Sequence, residues 1–136
     1  MIMASDAGGM SNRGLDALIK QIGTDIKGQL GFWEFTAHGW RLCCITDESH
    51  NRMRLMTSIA DKGQLTPELL TACMQANFDR ALDARYCLSG DTLWGAFIHP
   101  LRSLEASLFL SACSQVAMLG ENFGTTFSSG ELRFGA

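Results

Sequence analysis

Charge is scarce in this sequence. Asp, Glu, Lys and Arg make up 18% of its 136 residues, below the quarter usual in globular chains. The 11 basic residues are scattered and the net charge is −3, which speaks against nucleic acid and against an anionic membrane surface as partners. No apolar run approaches the roughly 18 residues of a membrane span. Met1 to Asn12 has neither a basic start nor an apolar stretch, so no signal peptide is expected there. Low-complexity blocks and internal repeats are missing, and 46% hydrophobic residues exclude disorder. Phosphate loop, dinucleotide fingerprint, nucleophile elbow and paired-histidine motif are all absent. These absences point to a cytoplasmic, single-domain protein with no cofactor and no metal.

Five cysteines are present: Cys43, Cys44, Cys73, Cys87 and Cys113. The count is odd and no CxxC occurs, so free thiols in a reducing compartment are expected. Cys43 and Cys44 are neighbours in a strand-like run, so their side chains point to opposite faces and cannot share a metal. The other cysteines sit among apolar residues, where a thiol behaves as a small hydrophobe. His38, His50 and His99 have no metal-type partner three or four residues away. Asp79 and Asp83 share a helix face, but Arg80 and Arg85 beside them indicate a solvated ion-pair surface.

What is present is a clear alternation of periods. Leu15, Leu18, Ile19, Ile22 and Ile26 form one helical stripe, which predicts a helix from Arg13 to about Gln29. Gly31 to Ile45 is dense in β-formers and is interrupted by His38-Gly39, predicting strands over 31–37 and 40–47 joined by a tight turn. Arg52 to Ala60 is a third strand, with Met53, Leu55, Thr57 and Ile59 on one face and Arg52, Arg54 and Ser58 on a wetter one. Thr66-Pro67-Glu68 opens a second helix that runs to about Ala84. Arg85–Leu88 and Leu93–His99 are strands, the latter apolar on both faces. Ser103 is the expected cap of a last helix, about 104–123, with no charge between Glu105 and Glu121. Such a helix is expected to be covered on several sides, by the sheet and by the first helix at Gly23. Residues 1–12 read as a flexible lead-in, 13–123 as the domain, and 124–136 as a tail or an added strand.

The predicted order is α-β-β-β-α-β-β-α, an α+β fold with helices packed on an antiparallel sheet. Trp33, Trp40 and Trp94 all fall in strands. Any one of them suits a core, yet the first two strands carry large apolar groups on both faces. A sheet covered by helices on one face leaves the second set bare, and a bare aromatic face is a partner surface. Trp33, Phe35, Trp40 and Met56 are the candidate partner-binding residues, Met56 because its flexible thioether adapts to varied surfaces.

The segments GFWEFTAHGWRLCCITD, RMRLMTSIAD and TPELLTACMQANFDRALDARYCLSGDTLWGAFIHPLRSLEASLFLSACSQVA follow each other in an order that resembles the type III secretion chaperone-like fold. That group includes the CesT-type chaperones and their YbjN-like relatives. The resemblance spans about residues 13–123 and is closest around Asn77, the short strand after it, and the strand entering Pro100-Leu101. It implies a non-enzymatic homodimer that binds a partner polypeptide along apolar surfaces. By element, it makes Leu69, Cys73, Phe78, Leu88 and Trp94 dimer-interface candidates. The chain is less acidic than dedicated secretion chaperones, which suits the YbjN-like branch equally.

Two other classes compete with this reading. A small-ligand sensor of profilin-like or PAS-like type also layers helices on an antiparallel sheet and holds its ligand between the layers. A small thiol enzyme would use Cys43 or Cys44 with a histidine brought close by folding.

Overall fold

The computed structural model describes residues 9–79 and 81–124. Of the proposed tail, 124–136, all but Gly124 lies outside the described residues, as do the first eight residues of the lead-in. The order among the described residues is α1 (Asn12–Ile22), β1 (Thr24–Gln29), β2 (Phe32–Ala37), β3 (Trp40–Asp47), β4 (Arg52–Asp61), a 3-10 turn (Lys62–Gln64), α2 (Pro67–Asp79), β5 (Arg85–Ser89), β6 (Thr92–Pro100) and α3 (Ala106–Asn122). The strands form one antiparallel sheet in the order β1-β2-β3-β4-β6-β5. The α+β layering is as expected, with one strand more than the sequence reading gave.

That extra strand comes out of the predicted first helix. Ser11 caps α1, its Oγ accepting from the Gly14 N–H at 3.2 Å, so α1 begins inside the stretch read as a lead-in. The helix stops at Gly23, whose N–H closes the last turn on the Ile19 carbonyl at 2.8 Å. Beyond it stand the β-branched Thr24 and Gly28, both poor in a helix interior. The strand they form instead is irregular: Asp25 has φ +49° and the register with β2 slips between Thr24 and Lys27. Gly28, at φ +109°, lies so near the Phe32 carbonyl that a Cβ would fall 2.1 Å from its oxygen, so only glycine fits.

The turns follow their chemistry. His38 (φ +54°) and Gly39 (φ +80°) are both left-handed, as a two-residue hairpin between β2 and β3 requires. Between β3 and β4 the Asp47 carboxylate accepts from the Ser49 hydroxyl, the His50 N–H and the His50 ring. Ser49 first and His50 second hold that carboxyl down to about 2. The clasp is therefore complete above the ordinary carboxylate range and opens only as pH falls through about 2. Thr66 opens α2 as predicted, its Oγ1 accepting from the Leu69 N–H at 3.1 Å. Ser103 does not cap α3; Glu105 occupies that position, without a side-chain cap bond.

One face of the sheet carries the core. Trp33, Phe35 and Ala37 of β2, Leu42 and Cys44 of β3, Met53, Leu55 and Thr57 of β4, Leu93 and Phe97 of β6 and Tyr86 of β5 are buried there. The α3 residues Phe109, Ala112, Cys113, Val116 and Leu119 cover them, and Leu15 and Ile19 of α1 complete the cluster. Each such side chain stabilises the fold by about 1.5–3 kcal/mol. A slip in register between Ser58 and Ala60 buries Ala60 as well at the end of β4, while Ile59 is partly buried and packs against the same core. Gly23 does permit a close approach, but its neighbour is Phe35, 2.9 Å from a would-be Cβ, and not α3.

The lack of charge on α3 before Glu121 has a specific cause. The helix is buried on the sheet side and again along Gln115, where the segment before β5 crosses it. Gln115 Oε1 accepts from the Asp83 and Ala84 N–H groups at 2.8 and 3.0 Å. Its Nε2 donates to Asp83 and Ser111. α2 is fastened to β5 in a similar way. The Asn77 amide donates to the Tyr86 carbonyl and accepts from the Tyr86 N–H, imitating a neighbouring strand, while the Tyr86 hydroxyl donates to the Leu119 carbonyl at 2.7 Å.

Candidate partner-binding surfaces

Among the described residues, the strand alternation that builds the core leaves the other face of the sheet without a helix. Its residues form rows set by the strand registers. Phe32, Ile45, Arg54 and Ile98 stand side by side across β2, β3, β4 and β6. The next row runs Glu34, Cys43, Met56, Ala96 and Arg85. The third holds Ser58, Trp94 and Cys87. Phe32 and Ile98 are 46% and 47% exposed, far above what packing leaves to a core residue. A groove of about 390 Å³ is lined by Phe32, Glu34, Cys43, Ile45, Met56 and Trp94. A second, of about 450 Å³, shares Ile45 and is lined by Arg52, Arg54, His50 and Ile98.

A second bare region lies at the opposite edge, on the helix side of the sheet. Phe78 of α2 is 90% exposed, and Met74, Leu82 and Leu88 are each more than half exposed. β5 ends the sheet there, with its outer edge unpaired by any strand among the described residues. Of the large hydrophobic side chains exposed among the described residues, all but Leu30 and Leu110 fall in these two regions.

The candidate residues divide between buried and open positions. Trp33 and Phe35 are on the helix-covered face, 1% and 0% exposed, and so are core residues rather than partner surface. The Trp33 indole donates to Asp16 at 3.0 Å. Lys20 first and this indole second hold the Asp16 carboxyl below its usual range. The Trp40 ring lies over Gly120 of α3, where a Cβ would come within 2.6 Å of it, and its Nε1 reaches Glu121 at 3.5 Å. Met56 is on the open face, half-buried in the groove. Among the dimer candidates Phe78 and Leu88 are exposed, Leu69 is half-buried, and Cys73 is fully buried and unable to meet a partner. Trp94 is on the open face, apart from Phe78 and Leu88. Phe32, Ile45 and Ile98 on one surface, and Met74 and Leu82 on the other, join the sites only through the structure. Both sides of β2 and β3 are apolar, so parity alone could not say which side the helices take.

The placement of the thiols disfavours their ionised form. Burial pushes Cys73 and Cys113 up to about 12, and Cys44 further still. Burial, with Glu34 second, also raises half-buried Cys43. His50 is engaged by Asp47, and the His99 ring nitrogen lies 2.7 Å from the Pro100 carbonyl. Among the described residues, no group of three or more His, Cys, Asp or Glu side chains is arranged to hold a metal ion. The small opening between α3 and the segment before β5, near Leu82, Gln115 and Leu119, is about 10 Å³, room for one water at most. No helix among the described residues is long and apolar enough to cross a membrane.

No family model and no curated protein matches this sequence. Solved structures do match its fold. A chain of the HopA1–SchA chaperone–effector complex superposes with a TM-score of 0.60 at 10% identity, over 80% of this chain and 88% of that one. A chain of the Yersinia pestis type III secretion chaperone SycH in complex with a stable fragment of YscM2 gives a TM-score of 0.57 at 15% identity, over 81% and 96%. At such identities the likeness is one of fold, and the fold is the type III secretion chaperone-like one that the order of elements resembles.

Proposed function

We propose that this protein is a non-enzymatic, homodimeric, chaperone-like domain that binds a partner polypeptide. The observation that carries the reading is the bare apolar sheet face around Phe32, Ile45, Met56, Trp94 and Ile98. An extended segment laid across it buries large side chains in the groove, and a strand adding at an edge gains backbone hydrogen bonds. The solved structures that share the fold include chaperone–effector complexes, which supports a polypeptide as the occupant. The second bare region, Phe78 with Met74, Leu82 and Leu88, supplies a self-association surface separate from the binding face.

The test is affinity capture from native extract with crosslinking. Met56→Asp places a charge in the groove and should reduce recovery of the captured polypeptide by roughly tenfold, with the melting temperature little changed. Recovery unaffected by that substitution rejects this surface.

A further inference from the structure

The open face has a charge arrangement that its apolar groove does not explain. Four arginines stand on it: Arg41, Arg52, Arg54 and Arg85. Two are occupied. Arg41 is held by the Asp25 carboxylate and carbonyl and by the Thr36 hydroxyl. Arg85 is turned toward the Leu82 and Ala84 carbonyls. Arg52 and Arg54 pair with no carboxylate among the described residues. Both line the 450 Å³ groove, which meets the apolar groove at Ile45. Arg54 rises between Ile45 and Ile98 in the middle of the sheet. A molecule of net charge −3 thus presents two guanidinium groups without an ion pair on this face, Arg54 amid its apolar rows and Arg52 at the strand ends, across from the Asp47 that Ser49 and His50 hold. A guanidinium so placed matches a carboxylate, with two parallel hydrogen bonds and strong charge assistance.

A second copy of the chain is a poor occupant. A two-fold contact sets this face against itself. The carboxylates it could then offer are Glu34, Asp47 and Asp61: Asp47 is already committed to Ser49 and His50, Asp61 stands at the other end of β4, and Glu34 alone is outnumbered by the two guanidinium groups.

Resting on the polypeptide-binding reading above, we propose that the open face selects an acidic, apolar segment. Its carboxylates pair with Arg52 and Arg54, and its large side chains fill the groove between Phe32, Ile45, Met56 and Trp94. The specificity is for charge and spacing rather than for one sequence, and binding weakens as salt screens the pairs.

Selection of displayed random linear peptides on the full chain tests this, in parallel with the Arg52→Glu/Arg54→Glu double variant. The expected result is enrichment of peptides that combine Asp or Glu with large apolar residues. Those peptides should bind the double variant roughly tenfold or more weakly, since two exposed charge pairs become repulsions. Arg52→Gln/Arg54→Gln, carried alongside, gives an intermediate loss and serves if the reversal impairs folding. Enriched peptides without acidic residues, or acidic ones indifferent to both variants, overturn the charge assignment while the polypeptide-binding reading stands. No enrichment on the wild-type chain overturns both.

Discussion

At the scale of single residues, the side chains that decide the fold are buried amides. Gln115 satisfies two backbone N–H groups in the chain entering β5, at 2.8 and 3.0 Å. Asn77 does the same for both backbone groups of Tyr86. Gln115→Leu keeps the volume but leaves two amides without acceptors. The expected cost is about 2–4 kcal/mol, one to three for each orphaned group before the loop relaxes toward water. A urea unfolding midpoint lowered to match is the expected result; an unchanged midpoint would show that solvent replaces the amide freely. The sequence displays an uncharged helix around Gln115 but not the loop that crosses it, because that contact joins residues more than thirty positions apart. Gly23 is similar. Its smallness signals a close approach, while the partner, Phe35, is fixed only when β2 takes its place beside the helix.

Among the elements, those with strong local signals appear where the sequence puts them. The His38-Gly39 hairpin and the Thr66 cap are set by local geometry, and their neighbours do not alter them. β1 was hidden because Ile22 and Ile26 continue the helical stripe of Leu15, Leu18 and Ile19. The glycine and the β-branched residue between them, with pairing to the edge of β2, outweigh that period. α2 is shorter than its apolar pattern, ending at Asp79 and leaving Leu82 in the segment that follows. Its Phe78, 90% exposed, packs little against the described residues, which makes it a probe of self-association. Light scattering on the wild type is expected to give about twice the 14.9 kDa chain mass. Phe78→Glu should return the monomer while changing stability by less than about 0.5 kcal/mol, as surface substitutions do. A wild type that is monomeric at high concentration rejects the dimer, and a dimer unaffected by Phe78→Glu moves its interface elsewhere.

For the whole molecule, the low charge content and the one-sided helix layer have a common consequence. Helices α1 and α3 cover one sheet face, and α2 closes the β5 end of the same side. The other face keeps Phe32, Ile45 and Ile98 in contact with water, near the guanidinium groups of Arg52 and Arg54. The sequence makes the two-sided apolarity of β2, β3 and β6 plain, and with it an apolar face that the helices leave open. It does not say which aromatics belong to that surface, so Trp33 and Phe35, the most conspicuous of them, prove to be core. On the proposed function, the bare face is occupied by a polypeptide in the cell. A photo-crosslinking residue at Ile98, compared with one at Gln21 on the exposed side of α1, measures this directly. The expected result is a discrete polypeptide adduct from Ile98 and none from Gln21. No polypeptide adduct from Ile98, or equal yields from the two positions, would contradict it.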